Sequence, residues 1–328
     1  MAKTVAEYYV TNYTRCKIDD SFLGSWQGLA YTSHFTQVFA VPVQVLTFSL
    51  IIHKTPSIMR CMKWPLLFSH FCFGTLSTPY LFYPQGALFG CGLLNTFNIP
   101  ILILMFPGCF VICSMAISLV YLFESRSSAI HNNRWKIKKR STRVIYYVTN
   151  YLLYTPVIYL LLNTPTDQEA AKLDSLKVTP CPTREFFTQP IYILFSDSFW
   201  GEFVVFVVFS TYIGINAVQI GFFILCSLFY LFIAPSYTIS THTRSYQIHF
   251  FIGIIIQTSV PLIVIVLTYA VAITAIMMDG MTQGIVNMCI VTVGIHGFAE
   301  SLTIVLIHRP YRNFVWSLLT RKKDLKSL

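Results

Sequence analysis

Long apolar runs separated by short polar connectors fill most of this 328-residue chain. A helix needs roughly 20 residues to cross a bilayer core of about 30 Å, and several runs reach that length. These runs are residues 31–53, 64–84, 99–123, 144–162, 203–234, 248–276 and 285–307. Because hydrocarbon offers no hydrogen bonds to a polar backbone, each run that crosses it has to be helical. The pattern predicts an all-α membrane protein, a bundle of seven transmembrane helices.

Charged side chains are concentrated in the connectors between these runs. The runs contain one acidic residue, Glu300, and no lysine or arginine. A charge at the centre of a bilayer costs about 2.5–3.5 kcal/mol on insertion scales, which explains this distribution. Charged residues form 11% of the chain, whereas soluble proteins contain roughly 25%. The composition therefore favours a membrane protein and speaks against nucleic acid as the partner of its net charge of +10.

The basic residues collect on one side of the predicted membrane. The connectors on that side, with the tail, hold 17 of the 23 lysines and arginines and two of the 13 acids. The positive-inside rule makes this side cytoplasmic, so residues 1–30 lie outside and the tail, 308–328, lies inside. The apolar and aromatic stretch 314–319 has basic flanks and predicts a short amphipathic helix on the inner surface. The same basic face is expected to attract anionic membrane lipid.

The predicted outer segments carry a sequon and three cysteines. Asn12 begins Asn12-Tyr13-Thr14, the chain's only N-glycosylation sequon, so we expect a glycoprotein modified at Asn12. Cys16, Cys91 and Cys181 would face an oxidising exterior. We expect a disulfide between Cys91, just before the third span, and Cys181, in the long second outer loop. Cys16 is then the odd thiol, and it could replace either partner.

Glu300 is the one ionisable acid within a predicted span, too deep for its short side chain to reach water easily. His296 precedes it by one helical turn on the same face. Two interpretations stay open: a polar switch or proton-coupled site in the lower bundle, or a protonated acid bonded to a neighbouring helix. We predict no metal ion and no cofactor.

The cytoplasmic end of the third span reads Tyr121-Leu122-Phe123-Glu124-Ser125-Arg126. An acid and an arginine at this edge can form a local pair that a conformational change would break. The alternative is a charged boundary that only stops the span. The position of the triplet at the inner end of the third helix favours the functional interpretation.

Sequence patterns of the common enzyme classes are missing from the chain. It has no P-loop, no HExxH and no dinucleotide-binding glycine pattern. No predicted span contains an aspartate, so the paired aspartates of an intramembrane protease are absent as well. Ion-coupled transport is weakly supported, because carriers usually place charged or broken-helix sites at the midplane.

These features together resemble the nematode serpentine chemoreceptors of class H. The resemblance depends on Leu122-Phe123-Glu124-Ser125-Arg126, on His296-Gly297, and on Ser301 running into His308-Arg309-Pro310-Tyr311-Arg312. It covers nearly the whole chain, from about residue 20 to about residue 320. The family usually has Glu-Asn-Arg where this chain has Glu-Ser-Arg, which leaves the acid and the base in place. The rhodopsin-like triplet of helix three and the Asn-Pro-x-x-Tyr of helix seven are absent.

The resemblance implies a chemosensory G-protein-coupled receptor, not an enzyme, in the plasma membrane and on the cilia of sensory neurons. It would detect a small-molecule or odorant ligand and signal through a heterotrimeric G protein, with the ligand biasing states that already exist. Two other classes stay open. One is a membrane transporter or ligand-gated channel, and the other is a non-signalling protein that partners another receptor.

The resemblance also implies where the sites lie. A ligand cavity is expected between the outer halves of helices three, five, six and seven. Its candidate residues, chosen as polar or aromatic side chains at a suitable depth, are Tyr212, Asn216, Tyr269, Asn287 and Thr292. The candidate residues for activation and G-protein coupling are Glu124, Arg126, Arg134, Arg140, Arg143, Arg244 and Arg312.

Overall fold

The computed structural model describes residues 3–16, 21–54, 78–84, 86–97, 99–195, 198–234 and 240–324. These ranges consist mainly of helices, with one small antiparallel sheet. Most of the predicted second span, 64–84, lies outside the described residues, and only its last part can be compared with the structure.

The helices are numbered here in chain order. They are α1 (Val5–Thr11), α2 (Trp26–Lys54), α3 (Ile101–Ala129), α4 (Arg140–Leu152), α5 (Thr155–Leu162), α6 (Gln168–Val178), α7 (Glu185–Thr188), α8 (Ser198–Phe203, Val204–Phe209, Ser210–Leu228 and Phe229–Ile233 in succession), α9 (Thr241–Met277), α10 (Gln283–Ile307) and α11 (Arg309–Asp324). Five of the described helices, α2, α3, α8, α9 and α10, are long and apolar enough to cross a membrane. They overlap the first, third, fifth, sixth and seventh predicted spans.

The region of the fourth predicted span, 144–162, is divided into two helices. α4 ends at Leu152 and α5 begins at Thr155, with Leu153 and Tyr154 in the turn between them. Pro156 lies in the first turn of α5, where its missing N–H removes no helical bond and its fixed φ suits a helix start. The proline therefore fits the start of a new helix at Thr155.

A three-stranded antiparallel sheet stands at one end of the bundle. Its strands are β1 (Pro79–Phe82), β2 (Ala87–Gly90) and β3 (Tyr192–Ile193). β1 falls within the predicted second span but is strand. It pairs with β2 in an antiparallel register from Pro79↔Gly90 to Phe82↔Ala87, and its aromatic residues suit a pleated surface. Gly86, in the turn before β2, has φ +59°, and a Cβ there would lie 2.6 Å from Phe195. The turn therefore requires glycine.

The sheet packs with the residues before α2 and with α6 and α7 in a cap over this end of the bundle. We call this end the sheet end. Tyr80 and Ile193 are buried in the cap together with Leu29 from the start of α2. The Nδ2 of Asn287, on α10, donates to the carbonyl of Leu23 at 2.8 Å. This bond fastens the cap to the bundle.

The disulfide in the cap joins Cys16 to Cys181, with their Cα atoms 5.5 Å apart. The expected Cys91–Cys181 pairing is therefore corrected, and the predicted odd thiol takes the place of Cys91. The physical reason is that Tyr8 and Tyr13 donate to the carbonyls of Pro180 and Pro182, which holds the N-terminal segment against the outer loop.

Cys91 follows β2 and remains a free thiol. Its backbone N–H donates to Thr78 at 2.9 Å, which fixes the residue at the end of the sheet. Burial raises the pKa of the Cys91 thiol to about 12. The group is therefore a protonated, packed side chain rather than a reactive thiolate.

The opposite end of the bundle, which we call the basic end, holds a second core. Val120 of α3, Ile254 of α9 and Ile304 of α10 are buried together there. α11 begins at Arg309 directly after α10, and Tyr311 in its first turn is buried in the same core. The stretch predicted as an interfacial helix, 314–319, lies within α11.

Candidate functional site

A cavity of about 640 Å³ lies between α2 and α10, on the side of the bundle nearer the sheet end. Its long walls are formed by residues between Ser33 and Gln44 on α2 and between Cys289 and Phe298 on α10. Short stretches of α3, α8 and β1 contribute the rest of the described lining. The volume falls within the range of about 300–1,000 Å³ that is usual for small-molecule sites.

The lining of this cavity is mainly apolar, with residues such as Met105, Phe209 and Ile290. None of the described lining residues is an aspartate, glutamate, lysine or arginine. Gln44 is half-buried, and its side-chain amide has no hydrogen-bond partner in the described part of the chain. The described lining therefore offers no charged partner, and Gln44 offers one donor and one acceptor group.

His296 also lines the cavity, from α10. Its Nδ1 contacts the carbonyl of Val293, and because a carbonyl oxygen only accepts, this nitrogen carries the proton. In the neutral ring, Nε2 is then an acceptor. It is buried and has no partner among the described residues. An acceptor left in this way costs about 1–3 kcal/mol, so His296 has an unmet hydrogen-bonding capacity beside the cavity.

The candidate ligand residues Tyr212 and Asn216 lie together on α8, facing α5. The ring centroid of Tyr212 is 4.0 Å from that of Tyr154. The Nδ2 of Asn216 donates to the carbonyl of Tyr212 at 2.9 Å. The Tyr212 hydroxyl and the Asn216 Oδ1 are buried and lack partners among the described residues. The two residues form a polar spot between helices and do not line the cavity.

The other three candidate ligand residues occupy separate places. Tyr269 shares a hydrogen bond of 2.6 Å with Ser210, between α9 and α8. Thr292 donates to the carbonyl of Met288 on its own helix at 2.8 Å. Asn287 uses its amide to hold the cap. None of the five candidates is among the described residues that line the cavity, so their role in ligand binding stays a prediction.

Gln44 is not among the predicted ligand residues because the cavity was expected between helices three, five, six and seven, whereas Gln44 lies in the first span. A weaker signal was present: Ser33, Gln37 and Gln44 recur at spacings of four and seven residues, which places them on one face of a helix. A polar stripe on a membrane helix normally faces protein or a cavity rather than lipid.

A polar cluster lies at the basic end, around Glu124. This side chain is fully buried, and its Oε1 is 3.0 Å from the Nη2 of Arg143 on α4. The hydroxyl of Ser128 donates to the same carboxylate at 2.6 Å, and the hydroxyl of Tyr147 donates at 3.1 Å. Two hydroxyl donors and one cation therefore satisfy the carboxylate, which a buried charge requires. The polar cluster links the end of α3 to α4.

Arg126, two residues further along α3, makes a different contact. Its guanidinium lies over the ring of Phe250 on α9, 4.3 Å from the centroid. The acid and the base of the Glu-Ser-Arg triplet thus reach two different helices, Glu124 to α4 and Arg126 to α9. A cation–π contact of this kind contributes about 0.5–2 kcal/mol.

His308 connects the end of α10 to α9. The ring nitrogen Nε2 lies 2.7 Å from the Oε1 of Gln257, a fully buried side chain. The ring also packs beside Phe250 and Tyr311. Burial lowers the pKa of His308 to about 4, and the charge of Arg126 adds to this effect. The imidazole is therefore neutral near pH 7, and Nε2 donates to the amide oxygen.

The remaining coupling candidates also lie at the basic end. The backbone N–H of Arg134 donates to the Tyr230 hydroxyl at 3.3 Å, and Arg140 is the exposed first residue of α4. The Nε of Arg244 donates to the Leu231 carbonyl at 2.9 Å. The Nη1 of Arg312 donates to the Leu306 carbonyl at 3.0 Å. Together they form a basic rim around the polar cluster.

The two remaining predicted residues differ in exposure: Glu300 is buried and Asn12 is exposed. Glu300 is 5% exposed on α10, one turn beyond His296. At the next residue, Ser301, the backbone carbonyl accepts from the Thr47 hydroxyl at 3.4 Å, which links α10 to α2. Asn12 is exposed at the end of α1, where a glycosylating enzyme can reach it. Both proposed roles stay predictions.

The fold and the cavity define the class of protein: a multi-pass helical membrane protein with an internal small-molecule-sized cavity. A family model described as "Serpentine type 7TM GPCR chemoreceptor Srh" matches residues 24–321. The chain therefore belongs to the Srh family of seven-transmembrane serpentine chemoreceptors, which are receptors rather than enzymes, and its fold is their helical bundle. This confirms the family resemblance found in the sequence.

A curated relative supports the same assignment. The chain is 29% identical to "Serpentine receptor class H-72" of Caenorhabditis elegans over 333 residues, covering 98% of this chain and 94% of the relative. No solved structure matches the chain.

Proposed function

We propose that the protein detects a small-molecule ligand and signals through a heterotrimeric G protein at its basic end. The family supports a chemoreceptor, and the buried Glu124–Arg143 pair is the observation on which the signalling proposal rests. A receptor needs two arrangements of its helices that a ligand can bias. A satisfied buried ion pair favours one discrete arrangement, because separating it exposes or strands a charge.

The contacts beside this pair extend the proposal to more helices. Arg126 joins α3 to α9 through Phe250, and His308 joins α10 to α9 through Gln257. The ends of α3, α4, α9 and α10 are thus held by a few polar contacts. A movement of α9 would break the Arg126 and His308 contacts together, and a movement of α3 against α4 would break the Glu124–Arg143 pair. Opening these contacts would give a G protein access to the basic rim.

The same proposal assigns an orientation and a location. The N-terminus and the sheet end face the outside, and the basic end faces the cytoplasm. The charge distribution supports this through the positive-inside rule. The Cys16–Cys181 bond fits an oxidising exterior. The resemblance to chemoreceptors adds the plasma membrane and the cilia of sensory neurons as the expected location.

The experiment is a screen of volatile and water-soluble compounds against cells that express the chain. Nucleotide exchange on a heterotrimeric G protein is then measured in membranes with each active compound. We expect Arg126→Ala to weaken exchange while surface expression stays intact. Arg309→Ala is the matched control, because Arg309 is exposed at the same end. Equal exchange in both variants would reject Arg126 as a coupling residue.

The alternatives give different outcomes in the same cells. A transporter or ligand-gated channel would produce substrate flux or current with no G protein present. A non-signalling partner would show neither activity but would alter the trafficking of a co-expressed receptor. Either result, without compound-evoked nucleotide exchange, would overturn the receptor proposal.

A further inference from the structure

The cavity follows the two parallel helices α2 and α10 for several turns. Its walls run from Ser33 to Gln44 on α2, about 16 Å at 1.5 Å per residue. On α10 they run from Cys289 to Phe298, about 14 Å on the same basis. The cavity is therefore elongated along the helix axes, and an extended molecule fits it better than a compact one.

Gln44 and His296 line the cavity near its lower end. The Thr47–Ser301 bond sets the height at which α2 and α10 meet below it. Gln44 lies about 4.5 Å above this level and His296 about 7.5 Å above it, from their positions along the helices. Both polar groups thus stand at similar heights near the floor. Above them the lining mixes apolar side chains with Ser33, Thr36, Gln37 and Thr78. The Thr36 hydroxyl already donates to the carbonyl of Ser33 at 2.8 Å.

The charge of the occupant follows from the lining. An ion that entered the cavity would lose its hydration, and no described lining residue carries a compensating charge. Transfer of an unpaired ion into such surroundings is strongly unfavourable. A neutral molecule with one hydroxyl or similar group satisfies the Gln44 amide without that cost.

One side of the cavity is bounded by residues on the exposed surface of α2. Phe35 and Phe39 both line the cavity, yet they are 66% and 56% exposed. Their rings meet edge to face with centroids 5.3 Å apart. Toward the sheet end, Pro79 and Leu81 of β1 line the cavity beneath the cap. A lateral opening therefore lies beside two exposed phenylalanines, on a face of α2 that a bilayer would contact, and β1 bounds the cavity at the sheet end.

We propose that this cavity binds a neutral, elongated, largely apolar molecule with one hydrogen-bonding group, such as a medium-chain alcohol. The molecule enters sideways from the bilayer beside Phe35 and Phe39, and its polar group points toward Gln44. The assignment of this molecule as the stimulus rests on the receptor function proposed above. The binding site itself is tested separately.

The probe for binding is a dodecanol analogue that carries a photoreactive diazirine and an alkyne. It is added to the full chain in lipid nanodiscs, crosslinked by light, and mapped by mass spectrometry. We expect label on residues 33–44 and 289–298, and we expect dodecanol to compete better than dodecane. Equal competition by dodecane, or label only on lipid-exposed residues such as Val218, would overturn the site.

Two glycines provide a matched pair of blocking variants. Gly294 lines the cavity, and a Cβ added to it meets nothing within 4 Å, so Gly294→Phe fills the space without a backbone clash. Gly214 on α8 is equally open and does not line the cavity. We expect Gly294→Phe to lower labelling at least about tenfold, the equivalent of 1.4 kcal/mol. Gly214→Phe should leave labelling unchanged.

Gln44→Leu removes the amide with little change of volume. It should remove the preference for dodecanol over dodecane while the probe still labels the cavity. A retained preference would overturn the role of Gln44. This variant also covers the case in which Gly294→Phe does not fold.

The two proposals fail in different ways. Labelling of the cavity with no compound-evoked nucleotide exchange would support the site and overturn the receptor function. Compound-evoked exchange that persists at full potency in folded Gly294→Phe would support the receptor function and overturn the site as its ligand cavity.

Discussion

The Nη2 of Arg143 lies 3.0 Å from the Oε1 of Glu124, although 19 residues separate the two in sequence. The carboxylate has no exposed surface, whereas the arginine side chain is 36% exposed. Arg143 therefore reaches inward from the edge of the bundle to neutralise an acid that has no other charged partner recorded in the described structure. Loss of Arg143 leaves a fully buried carboxylate without its cation.

Glu124→Gln should raise ligand-independent signalling. The amide keeps the shape of the side chain but loses the charge that holds Arg143. The helix arrangement that contains the ion pair is therefore destabilised by about 1–3 kcal/mol relative to the alternative arrangement. Such a change shifts a two-state equilibrium by roughly 5- to 150-fold. The measurement is nucleotide exchange on the G protein without ligand.

Asp174→Asn is the control for this variant. The Nζ of Lys177 lies 2.6 Å from the Oδ1 of Asp174 on α6, but both side chains are largely exposed to solvent. Exposed pairs contribute about 0–1 kcal/mol, so this change should leave basal exchange as it is. Basal exchange that is equal in Glu124→Gln and wild type would contradict the proposed role of the buried pair.

His308 should make the stability of the protein depend on acid pH. Its folded-state pKa of about 4 lies below the ordinary value of 6.5, so the unfolded chain binds more protons between these values. The stability due to the neutral, buried ring is complete above pH 6.5 and is lost as the pH falls toward 4. The shift corresponds to at most about 3 kcal/mol.

The measurement is the midpoint of thermal unfolding in detergent across this pH range. His308→Phe should flatten the dependence, because the aromatic ring stays but no longer titrates. His131→Phe should leave the slope as in wild type, since His131 is exposed. An unchanged slope in His308→Phe would assign the pH dependence to other groups.

The disulfide prediction concerns Cys16 and Cys181. Digestion of the unreduced protein should yield one linked peptide pair that contains both residues, and Cys16→Ser should release a thiol at Cys181. Removing the bond should cost about 2–5 kcal/mol of stability. Cys91→Ser is the comparison: it should leave the linked pair intact. A linked peptide that contains Cys91 would restore the pairing expected from the sequence.

The orientation prediction is tested with Asn12 and an N-terminal epitope tag. In intact cells the tag should bind antibody, and glycosidase treatment should lower the apparent mass of wild type but not of Asn12→Gln. A tag at the C-terminus should bind antibody only after permeabilisation. Detection of the C-terminal tag on intact cells would reverse the proposed orientation.

The long helices were predictable because hydrocarbon imposes a simple rule on the sequence. Every described helix of membrane length overlaps a run that lacks lysine and arginine. The division near Pro156 was harder to predict, since a proline inside an apolar run either bends a helix or starts a new one. Residues 79–82 were assigned to a span because their composition is equally apolar in a buried strand.

The pairs of side chains depended on tertiary packing, which a single sequence does not specify. Glu124 and Arg126 looked like a local pair, but the partners they reach lie on α4 and α9. Cys16 and Cys91 were both eligible to bond Cys181, and the docking of Tyr8 and Tyr13 on the outer loop decides between them. The cavity depends on how two helices that are distant in sequence pack together, so the sequence does not show that Gln44 lines a cavity between α2 and α10.

The cap is tied together covalently by Cys16–Cys181 and is held to α10 by the Asn287 amide, so it lies as a roof over the sheet end of the cavity. Because the proposed entry is from the side, the occupancy of the cavity depends on the concentration of ligand dissolved in the bilayer. Potency along a series of homologous alcohols should then rise with the membrane–water partition coefficient, by about 0.8 kcal/mol for each added methylene. The rise should stop abruptly at the chain length that no longer fits beneath the roof.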